Sequence, residues 1–157
     1  MTTSKGSSSG AARVGKTKTV YLVACVGKKL TQPALAQDLY RSEWFLRARG
    51  YVEANQGPWF ILSAHYGLIA SDARVAPYEV TLNTMPIAAR RAWAKRVIGQ
   101  LQTQLPPCKS IVVLAGKRYR EFLMDYLRSR AEVKVPLQGL RIGHQLKALG
   151  SFGPSRT

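Results

Sequence analysis

The sequence predicts an α/β fold, in which a mainly parallel sheet of four strands is covered by helices on both faces. Short apolar runs at residues 20–25, 59–62 and 110–114 each stop at small or polar residues, as buried parallel strands do. Segments with apolar residues at helical spacing separate these runs, and alternating strands and helices build a parallel sheet. A chain of 157 residues is long enough for one such domain and too short for two.

The first half of the chain supplies two strands and one crossover. The first strand is predicted at residues 20–25, V-Y-L-V-A-C, and ends in the loop V-G-K-K-L. A helical pattern follows Pro33, with apolar residues that cover one side of the sheet: Leu35, Leu39, Phe45, Leu46 and Tyr51. The second strand, residues 59–62, leads into the polar turn S-A-H-Y-G and then into a long segment that contains Tyr78.

The second half supplies a long helix and two further strands. Residues 87–105 are predicted to be helical, with apolar residues recurring at helical spacing: Ile87, Trp93, Val97, Ile98 and Leu101. The third strand, residues 110–114, leads into A-G-K-R-Y-R-E and a helix over residues 121–130. A fourth strand is predicted at residues 133–135, followed by a loop and a short helix.

The chain is predicted to be a single α/β domain, residues 19–150, between a disordered basic arm, residues 1–18, and a flexible tail, residues 151–157. The arm is rich in Ser, Gly and Lys and has no apolar stretch of the kind found in secretory signals, so we expect a cytoplasmic protein. Residues 10–17, G-A-A-R-V-G-K-T, fit the phosphate-loop pattern formally. That loop follows a buried strand, whereas this stretch precedes one, so we do not expect a phosphate loop here.

The charge indicates a polyanionic partner. The chain has 24 Lys and Arg residues against 8 Asp and Glu residues, a formal charge of +16. Nucleic acid is the expected partner, and no membrane is expected because no run of about 18 apolar residues occurs. Cys25 and Cys108 are far apart and show no C-x-x-C spacing, so we expect neither a zinc site nor a disulfide, and no cofactor.

Three strand ends bring polar residues to one edge of the predicted sheet, at residues 25–29, 63–67 and 115–119. Right-handed crossovers place these ends on the same edge, where α/β proteins bind ligands. Lys28 and Lys29 are either phosphate-binding cations, one of them a nucleophile if burial lowers its pKa, or solvated loop residues. Cys25 is either a packed small side chain or a thiolate stabilised by a neighbouring lysine.

The remaining candidates also have two interpretations each. Asp38 is either the carboxylate that stabilises a cationic sugar or a charge on a helix surface. His65 is a possible general acid or phosphate donor, and the tyrosines either stack on a base or belong to the core. Glycines such as Gly116 would permit a phosphate or a base to approach the backbone closely. Basic side chains that either bind phosphates or form solvated faces are Arg90, Arg91, Lys95, Arg96, Lys117, Arg118 and Arg120.

Blocks along most of the chain resemble a family of small bacterial and phage-borne domains without an assigned function. They are V-A-C-x-x-K-K, D-L-Y-R-S-E-W-F, W-F-I-L-S-A-H-Y-G-L-I, P-Y-E-V-T-L-N, R-R-A-W-A, L-A-G-K-R-Y-R and P-L-Q-G-L-R-I-G-H-Q-L. More remotely, the Cys-x-x-x-Lys loop and the S-A-x-Y-G-L turn resemble the peroxide-stress DNA-binding YaaA proteins and the base-modifying domain of archaeosine synthase. These relatives imply a three-layer α/β/α architecture like that of uracil-DNA glycosylases.

Two departures limit what the resemblance implies. Position 65 is His where these relatives often have Lys or another residue, and the usual water-activating Asp with a nearby Pro-Tyr is absent in its usual form. A glycosylase activity therefore rests on analogy of fold. The resemblance assigns site roles to Cys25, Lys29, Asp38, Tyr40, Ser42, Ser63, Tyr66, Gly67, Pro77, Tyr78, Gly116, Tyr119, Gly139 and Gly143.

We expect a DNA-binding enzyme that acts on a nucleobase, with an N-glycosylase excising a modified or damaged base as the first hypothesis. The alternatives are a non-catalytic DNA-binding or stress-protection protein and a transferase that modifies a base. The predicted catalytic residues are Asp38, Lys29 and His65. The predicted nucleic-acid-binding residues are Cys25, Lys28, Tyr40, Ser42, Ser63, Tyr66, Gly67, Tyr78, Asn83, Gly116, Lys117, Arg118, Tyr119, Gly139 and Gly143.

Overall fold

A computed structural model describes residues 18–25 and 27–150 of the chain. The phosphate-loop-like stretch, the C-terminal tail and all of the predicted arm except Lys18 lie outside these residues. The elements in chain order are β1 (Thr19–Ala24), β2 (Ala34–Leu35), α1 (Ala36–Leu39), α2 (Glu43–Asn55), β3 (Trp59–Ser63), β4 (Gly67–Ala70), β5 (Arg74–Val75), a 3-10 turn (Leu82–Thr84), α3 (Ile87–Gln104), β6 (Ser110–Leu114), α4 (Lys117–Arg120), α5 (Met124–Arg130), β7 (Glu132–Lys134) and α6 (Ile142–Leu149).

The main sheet is mostly parallel and has the strand order β4-β3-β1-β6-β7. Strand β1 is central and pairs in parallel with β3 and β6, and β7 pairs in parallel with β6. The sheet has five strands, so the predicted number of four is wrong. The additional strand is β4, which turns back after residues 64–66 and pairs antiparallel with β3. The sequence analysis placed these residues in the polar turn and the long segment that follow the second strand, because the apolar run ends at Ser63.

The predicted elements are present, but one predicted helical segment is divided and another begins later than predicted. The helical segment predicted after Pro33 divides into α1 and α2, and residues 40–42 lie between them. The helix is interrupted because Tyr40 has an extended backbone and pairs with Lys29 in an isolated antiparallel bridge. The predicted helix over residues 121–130 is shorter in the structure, because residues 121–123 form a turn between α4 and α5. The third strand was predicted with the bounds that the structure has.

The side chains of β1 alternate between two cores, one on each face of the sheet. Val20 and Leu22 pack with side chains of α3 and α5, whereas Tyr21 and Val23 pack with side chains of α2 and α6. Alternation of this kind follows from the period of two along a strand. Helices therefore cover both faces, as predicted.

The connections leaving β1 and β6 run in opposite directions across the sheet. The chain passes from β1 to β3 on one side, and from β6 to β7 on the other. This change of direction opens a crevice outside the carboxyl ends of β1 and β6, the position where open α/β sheets bind ligands. None of the helices described combines the length and apolar character required for a bilayer crossing.

Candidate functional site

The turn after β3 is fixed by a buried serine. Ser63 is fully buried, and its hydroxyl oxygen accepts hydrogen bonds from the backbone N–H groups of His65 (3.2 Å) and Tyr66 (2.9 Å). The indole of Trp93 on α3 donates to the Ser63 carbonyl at 2.8 Å. These bonds fix where the side chains of His65 and Tyr66 leave the sheet.

Tyr78 connects this turn to the end of β1 and to the segment after α1. Its hydroxyl accepts a hydrogen bond from Ser63 Oγ at 2.8 Å and lies 2.9 Å from the Tyr40 hydroxyl and 3.4 Å from Cys25 Sγ. The Cys25 thiol also donates to the carbonyl of Leu62 at 3.2 Å. The structure thus brings together four of the predicted site residues, and we call Cys25, Tyr40, Ser63 and Tyr78 the tyrosine network.

The ionisable groups of the tyrosine network stay neutral at physiological pH. Burial raises the pKa of the Cys25 thiol to about 11, although hydrogen bonds from both tyrosines and the charge of Lys29 lower it in part. Burial likewise raises the pKa of Tyr40 and Tyr78 far above the usual range, and the neighbouring Cys25 adds to both shifts. A protonated thiol is a poor nucleophile. This favours the packed interpretation of Cys25.

Lys29 and His65 contact the outer part of this network. Lys29 Nζ lies 4.7 Å from the centroid of the Tyr78 ring and 5.9 Å from that of Tyr40, and it donates to the Gly27 carbonyl at 3.3 Å. The exposed His65 ring stacks on Tyr78 with centroids 5.3 Å apart and an interplanar angle of 26°. Two of the three predicted catalytic residues therefore meet at one tyrosine ring.

An open cleft of about 510 Å³ adjoins Tyr78, and we call it the lysine cleft. It is lined by Gly27, Lys28, Lys29, Leu30, Thr31, Pro77, Tyr78 and Glu79. Glu79 is its carboxylate, and the sequence analysis did not select it. The available signal was its position directly after Tyr78 in the P-Y-E-V-T-L-N block.

The structure does not bring Asp38 to the lysine cleft. Its carboxylate forms an ion pair with Arg49 of α2 at 2.8 Å, and Arg49 also pairs with Glu53 at 2.9 Å. Ser42 likewise has a local partner, because it caps α2 and accepts a hydrogen bond from the Phe45 N–H at 3.2 Å. Both side chains thus have structural partners outside the tyrosine network.

A second group of predicted residues lines a smaller pocket of about 180 Å³ at the crevice between β1 and β6. We call it the β1–β6 pocket, and its lining residues are Ala24, Trp44, Asn83, Gly116, Tyr119, Ile142 and Gln145. Lys117 and Arg118 follow Gly116 at the start of α4 and are exposed. Of the other predicted glycines, Gly139 has a positive φ of 82°, and neither Gly139 nor Gly143 lines this pocket or the lysine cleft.

Two side chains of α3 hold the turn between β3 and β4. Arg96 donates to the carbonyl of His65 at 3.1 Å, and Gln100 donates to the carbonyl of Tyr66 at 3.2 Å while accepting from the Leu68 N–H at 2.8 Å. Arg96 was predicted only as a charge, and Gln100 was not selected. The sequence signal that could have identified this pair is their spacing of four residues, which places both on one face of α3.

Within residues 18–25 and 27–150, no group of three or more His, Cys, Asp or Glu side chains is arranged to hold a metal ion.

Comparison with known proteins identifies the family of this chain. No curated protein and no solved structure matches it. A family model described as a family of unknown function, DUF6884, matches residues 20–151. The matched span contains the tyrosine network, the lysine cleft and the β1–β6 pocket. The chain therefore belongs to the family of unknown function DUF6884.

Proposed function

We propose that this protein is a DNA-binding enzyme that acts on a nucleobase, and specifically an N-glycosylase that removes a modified or damaged base. The observation that carries the proposal is the Lys29 ammonium, 4.7 Å from the Tyr78 ring centroid at the lysine cleft, with His65 stacked on the same ring. Glu79 lines the same cleft. A cation, an imidazole and a carboxylate thus share one end of the sheet.

These groups match the charges that develop when an N-glycosidic bond is hydrolysed. Water adds to the sugar C1′, the bond to the base breaks, and the base leaves with a proton. In the transition state the sugar becomes cationic and the base becomes anionic, so a carboxylate near the sugar and a cation near the base both stabilise it. We assign the first role to Glu79, the second to Lys29, and proton transfer to His65.

The distribution of charge supports DNA as the substrate. Lys28 and Lys29 follow the carboxyl end of β1, and Lys117 and Arg118 follow that of β6, so four cations lie on the edge that holds both pockets. With an overall formal charge of +16, this edge favours a phosphate backbone. An enzyme that acts on a base must also rotate it out of the duplex or bind it in a single strand.

The finer parts of the resemblance belong to the same proposal. A relation to the YaaA proteins and to the archaeosine synthase domain, a uracil-DNA-glycosylase-like three-layer arrangement and a cytoplasmic location all agree with an enzyme that acts on bases in DNA. They rest on the sequence blocks and on fold analogy.

The test is cleavage of labelled oligonucleotides that contain uracil, hydroxymethyluracil, other modified bases or only normal bases, followed by alkali and a sizing gel. We expect strand cleavage at one modified base. Lys29→Gln and Glu79→Gln should each reduce the rate by about 100-fold or more. Lys109→Gln and Glu132→Gln make the same changes at exposed positions at the amino end of the sheet and should leave the rate unchanged.

Asp38→Asn decides between the two candidate carboxylates. If Asp38 is catalytic, as the sequence analysis predicts, this variant should lose turnover and retain DNA binding. If Glu79 has that role, Asp38→Asn should retain most turnover and lose only the contribution of its ion pair with Arg49 to stability. The absence of cleavage on every oligonucleotide would contradict the proposed reaction.

A non-catalytic DNA-binding protein is the second candidate, and one observation favours it. Cys25, Tyr40 and Tyr78 all have raised pKa values, so the tyrosine network contains no ionised nucleophile at neutral pH. Tight, salt-sensitive retention of the same oligonucleotides without any cleavage would identify this function.

A further inference from the structure

We infer that the β1–β6 pocket binds a single planar, uncharged heterocycle, namely a base next to the one that is removed at the lysine cleft, on a nucleotide whose phosphate lies on the cations at the pocket rim. The class of ligand rests on the proposed function. The position of the pocket, its size, its walls and its rim are independent observations, and each favours a base.

The position is the one that the topology predicts for a ligand. The pocket lies at the carboxyl ends of β1 and β6, where the connections from these strands diverge. Ala24, the last residue of β1, and Gly116, just after the end of β6, both line it. Trp44 and Gln145 come from the helices that cover one face of the sheet, whereas Tyr119 comes from the segment that covers the other. The pocket is therefore a crevice between the two helical layers.

The size admits one ring system. A volume of about 180 Å³ lies below the range of about 300–1,000 Å³ that is usual for pockets holding drug-sized ligands. A free base fits this scale better than a complete nucleotide does. Ile142 at this pocket is 60% exposed, and a bound ring would cover part of this large apolar side chain.

The polar atoms of the large side chains are already occupied. The Trp44 indole donates to Gln145 Oε1 at 2.8 Å, and Gln145 Nε2 donates to the Leu140 carbonyl at 2.8 Å. The Tyr119 hydroxyl accepts from the Leu82 N–H at 3.2 Å and lies 3.2 Å from Thr81 Oγ1. What these side chains offer to a ligand is therefore mainly apolar and aromatic surface.

Asn83 differs from these residues because its carboxamide forms no hydrogen bond within the part of the chain that the structure describes. A carboxamide presents a donor and an acceptor side by side, as the edge of a base does, and paired hydrogen bonds between the two are a common form of base recognition. Asn83 is thus placed to select a base by its hydrogen-bonding edge, while the walls select for a flat ring.

The tyrosine network offers no comparable surface for stacking. Tyr40 is fully buried, and the Tyr78 ring already has the Lys29 ammonium and the stacked His65 against it. A base that stacked on Tyr78 would have to displace one of these partners. The β1–β6 pocket needs no such rearrangement.

Charge at the rim indicates a phosphate next to the ring. Lys117 and Arg118 directly follow Gly116, and Arg141 directly precedes Ile142. All three are exposed, and none forms an ion pair with a carboxylate among the described residues. An uncharged pocket with an unpaired cationic rim is complementary to a nucleotide and disfavours a cationic ligand.

The test is heteronuclear NMR of the isotopically labelled full chain, titrated with free uracil, thymine and adenine and, separately, with inorganic phosphate. We expect at least one base to shift the Trp44 indole N–H and the Gly116 amide, and phosphate to shift the amides of Lys117, Arg118 and Arg141 without shifting the Trp44 indole N–H. Gly116→Leu should weaken binding of that base by about tenfold or more, because the new side chain fills the pocket. A Cβ at Gly116 meets no atom within 4 Å, and the backbone has a negative φ, so this variant should fold.

Gly99→Leu is the matched control, because Gly99 is exposed on α3 and a Cβ there also meets no atom within 4 Å. It should leave base binding unchanged. Asn83→Ala, at an exposed position, should weaken binding without affecting folding. Base-induced shifts confined to Lys28, Lys29 and Tyr78, unchanged affinity in Gly116→Leu, or no shift with any base would each overturn the inference.

The outcome is separable from that of the proposed function. If bases bind in the β1–β6 pocket and no oligonucleotide is cleaved, the proposed catalysis fails and the pocket assignment stands. If cleavage depends on Lys29 and Glu79 but Gly116→Leu changes neither base binding nor cleavage, the enzyme assignment stands and the pocket assignment fails.

Discussion

At the scale of single residues, the Tyr78 hydroxyl is the atom that joins the other three members of the tyrosine network. This hydroxyl contacts Ser63, Tyr40 and Cys25, all of which are buried. Tyr78→Phe leaves buried polar groups without a partner, so we expect the free energy of unfolding to fall by about 1–3 kcal/mol. Urea denaturation followed by circular dichroism measures this loss.

Tyr126→Phe is the matched control for this substitution. Tyr126 is half-buried, and its hydroxyl bonds to Arg130, whose charge water can solvate when the hydroxyl is removed. The free energy of unfolding should therefore fall less in Tyr126→Phe than in Tyr78→Phe. Equal losses in both variants would contradict a special role for the Tyr78 hydroxyl.

The Cys25 thiol makes the free energy of unfolding depend on pH in a predictable direction. Its pKa is raised from 9.0 to about 11 in the folded chain, so between these values the unfolded chain releases a proton that the folded chain keeps. The contribution to stability is complete below the unfolded pKa and is lost as the pH rises towards 11. The maximum slope from one such group is about 1.4 kcal/mol per pH unit.

Comparison of the native chain with Cys25→Ala isolates this contribution. Urea unfolding between about pH 8 and pH 10 should show stability falling more steeply with pH in the native chain than in the variant, because only the native chain has the buried thiol. Parallel curves would show that Cys25 titrates alike in both states. The predicted packed interpretation of the thiol would then lose its energetic support.

Site residues at strand ends were predictable from the sequence pattern, whereas the partner that holds Asp38 away from the site was not. Ser63 and Tyr66 follow directly from the strand that ends in a turn. Asp38 was selected because it is two residues from Tyr40. However, Asp38 is on helix α1 and pairs with Arg49, eleven positions along the chain, whereas Tyr40 is extended and buried. No local pattern reveals that pairing.

At the scale of elements, the turn between β3 and β4 depends on Gly67. Its φ is +78°, and a Cβ there would lie 2.3 Å from Gln100 Oε1, the atom that accepts a hydrogen bond from Leu68. Gly67→Ala should therefore lower the free energy of unfolding by about 1–3 kcal/mol from backbone conformation alone, with a further loss when Gln100 moves. The same change should displace His65 and Tyr66.

For Gly99→Ala on α3 we expect the opposite effect on stability. This glycine is exposed in a helix interior with open space around it, so alanine should stabilise the chain by about 0.5–1 kcal/mol. Thermal unfolding of both variants measures the contrast. A neutral or stabilising Gly67→Ala would show that the turn does not require the left-handed conformation.

The same turn explains why the sheet was predicted with one strand too few. Strand β4 has only four residues and follows β3 after a connection of three residues. Because the apolar run was read as ending at Ser63, β4 was not recognised as a separate strand. Longer elements were predictable because burial repeats along them: α3 was expected over residues 87–105 and spans Ile87–Gln104. The division between α1 and α2 depends on the bridge between Lys29 and Tyr40, a contact that periodicity does not encode.

At the scale of the whole molecule, the two ends of the sheet differ in what they offer to a polyanion. The carboxyl end holds the lysine cleft, the β1–β6 pocket and Lys117 and Arg118. The amino end has cations of its own, since Lys18 precedes β1 and Lys109 precedes β6, and the two strands are paired there through Thr19 and Ser110. Net charge alone would attract DNA to either end, whereas our proposals require the carboxyl end.

The salt dependence of DNA affinity distinguishes the two ends. Each phosphate neutralised on duplex DNA contributes about 0.9 to the slope of log affinity against log salt concentration. The double variant Lys117→Gln with Arg118→Gln should therefore reduce that slope by about one to two units. Lys18→Gln with Lys109→Gln removes the same number of charges from the opposite end and should leave the slope nearly unchanged. Fluorescence anisotropy with one labelled duplex over a series of salt concentrations measures both, and equal reductions would mean that DNA contacts the protein through its overall charge rather than at the edge that contains the site.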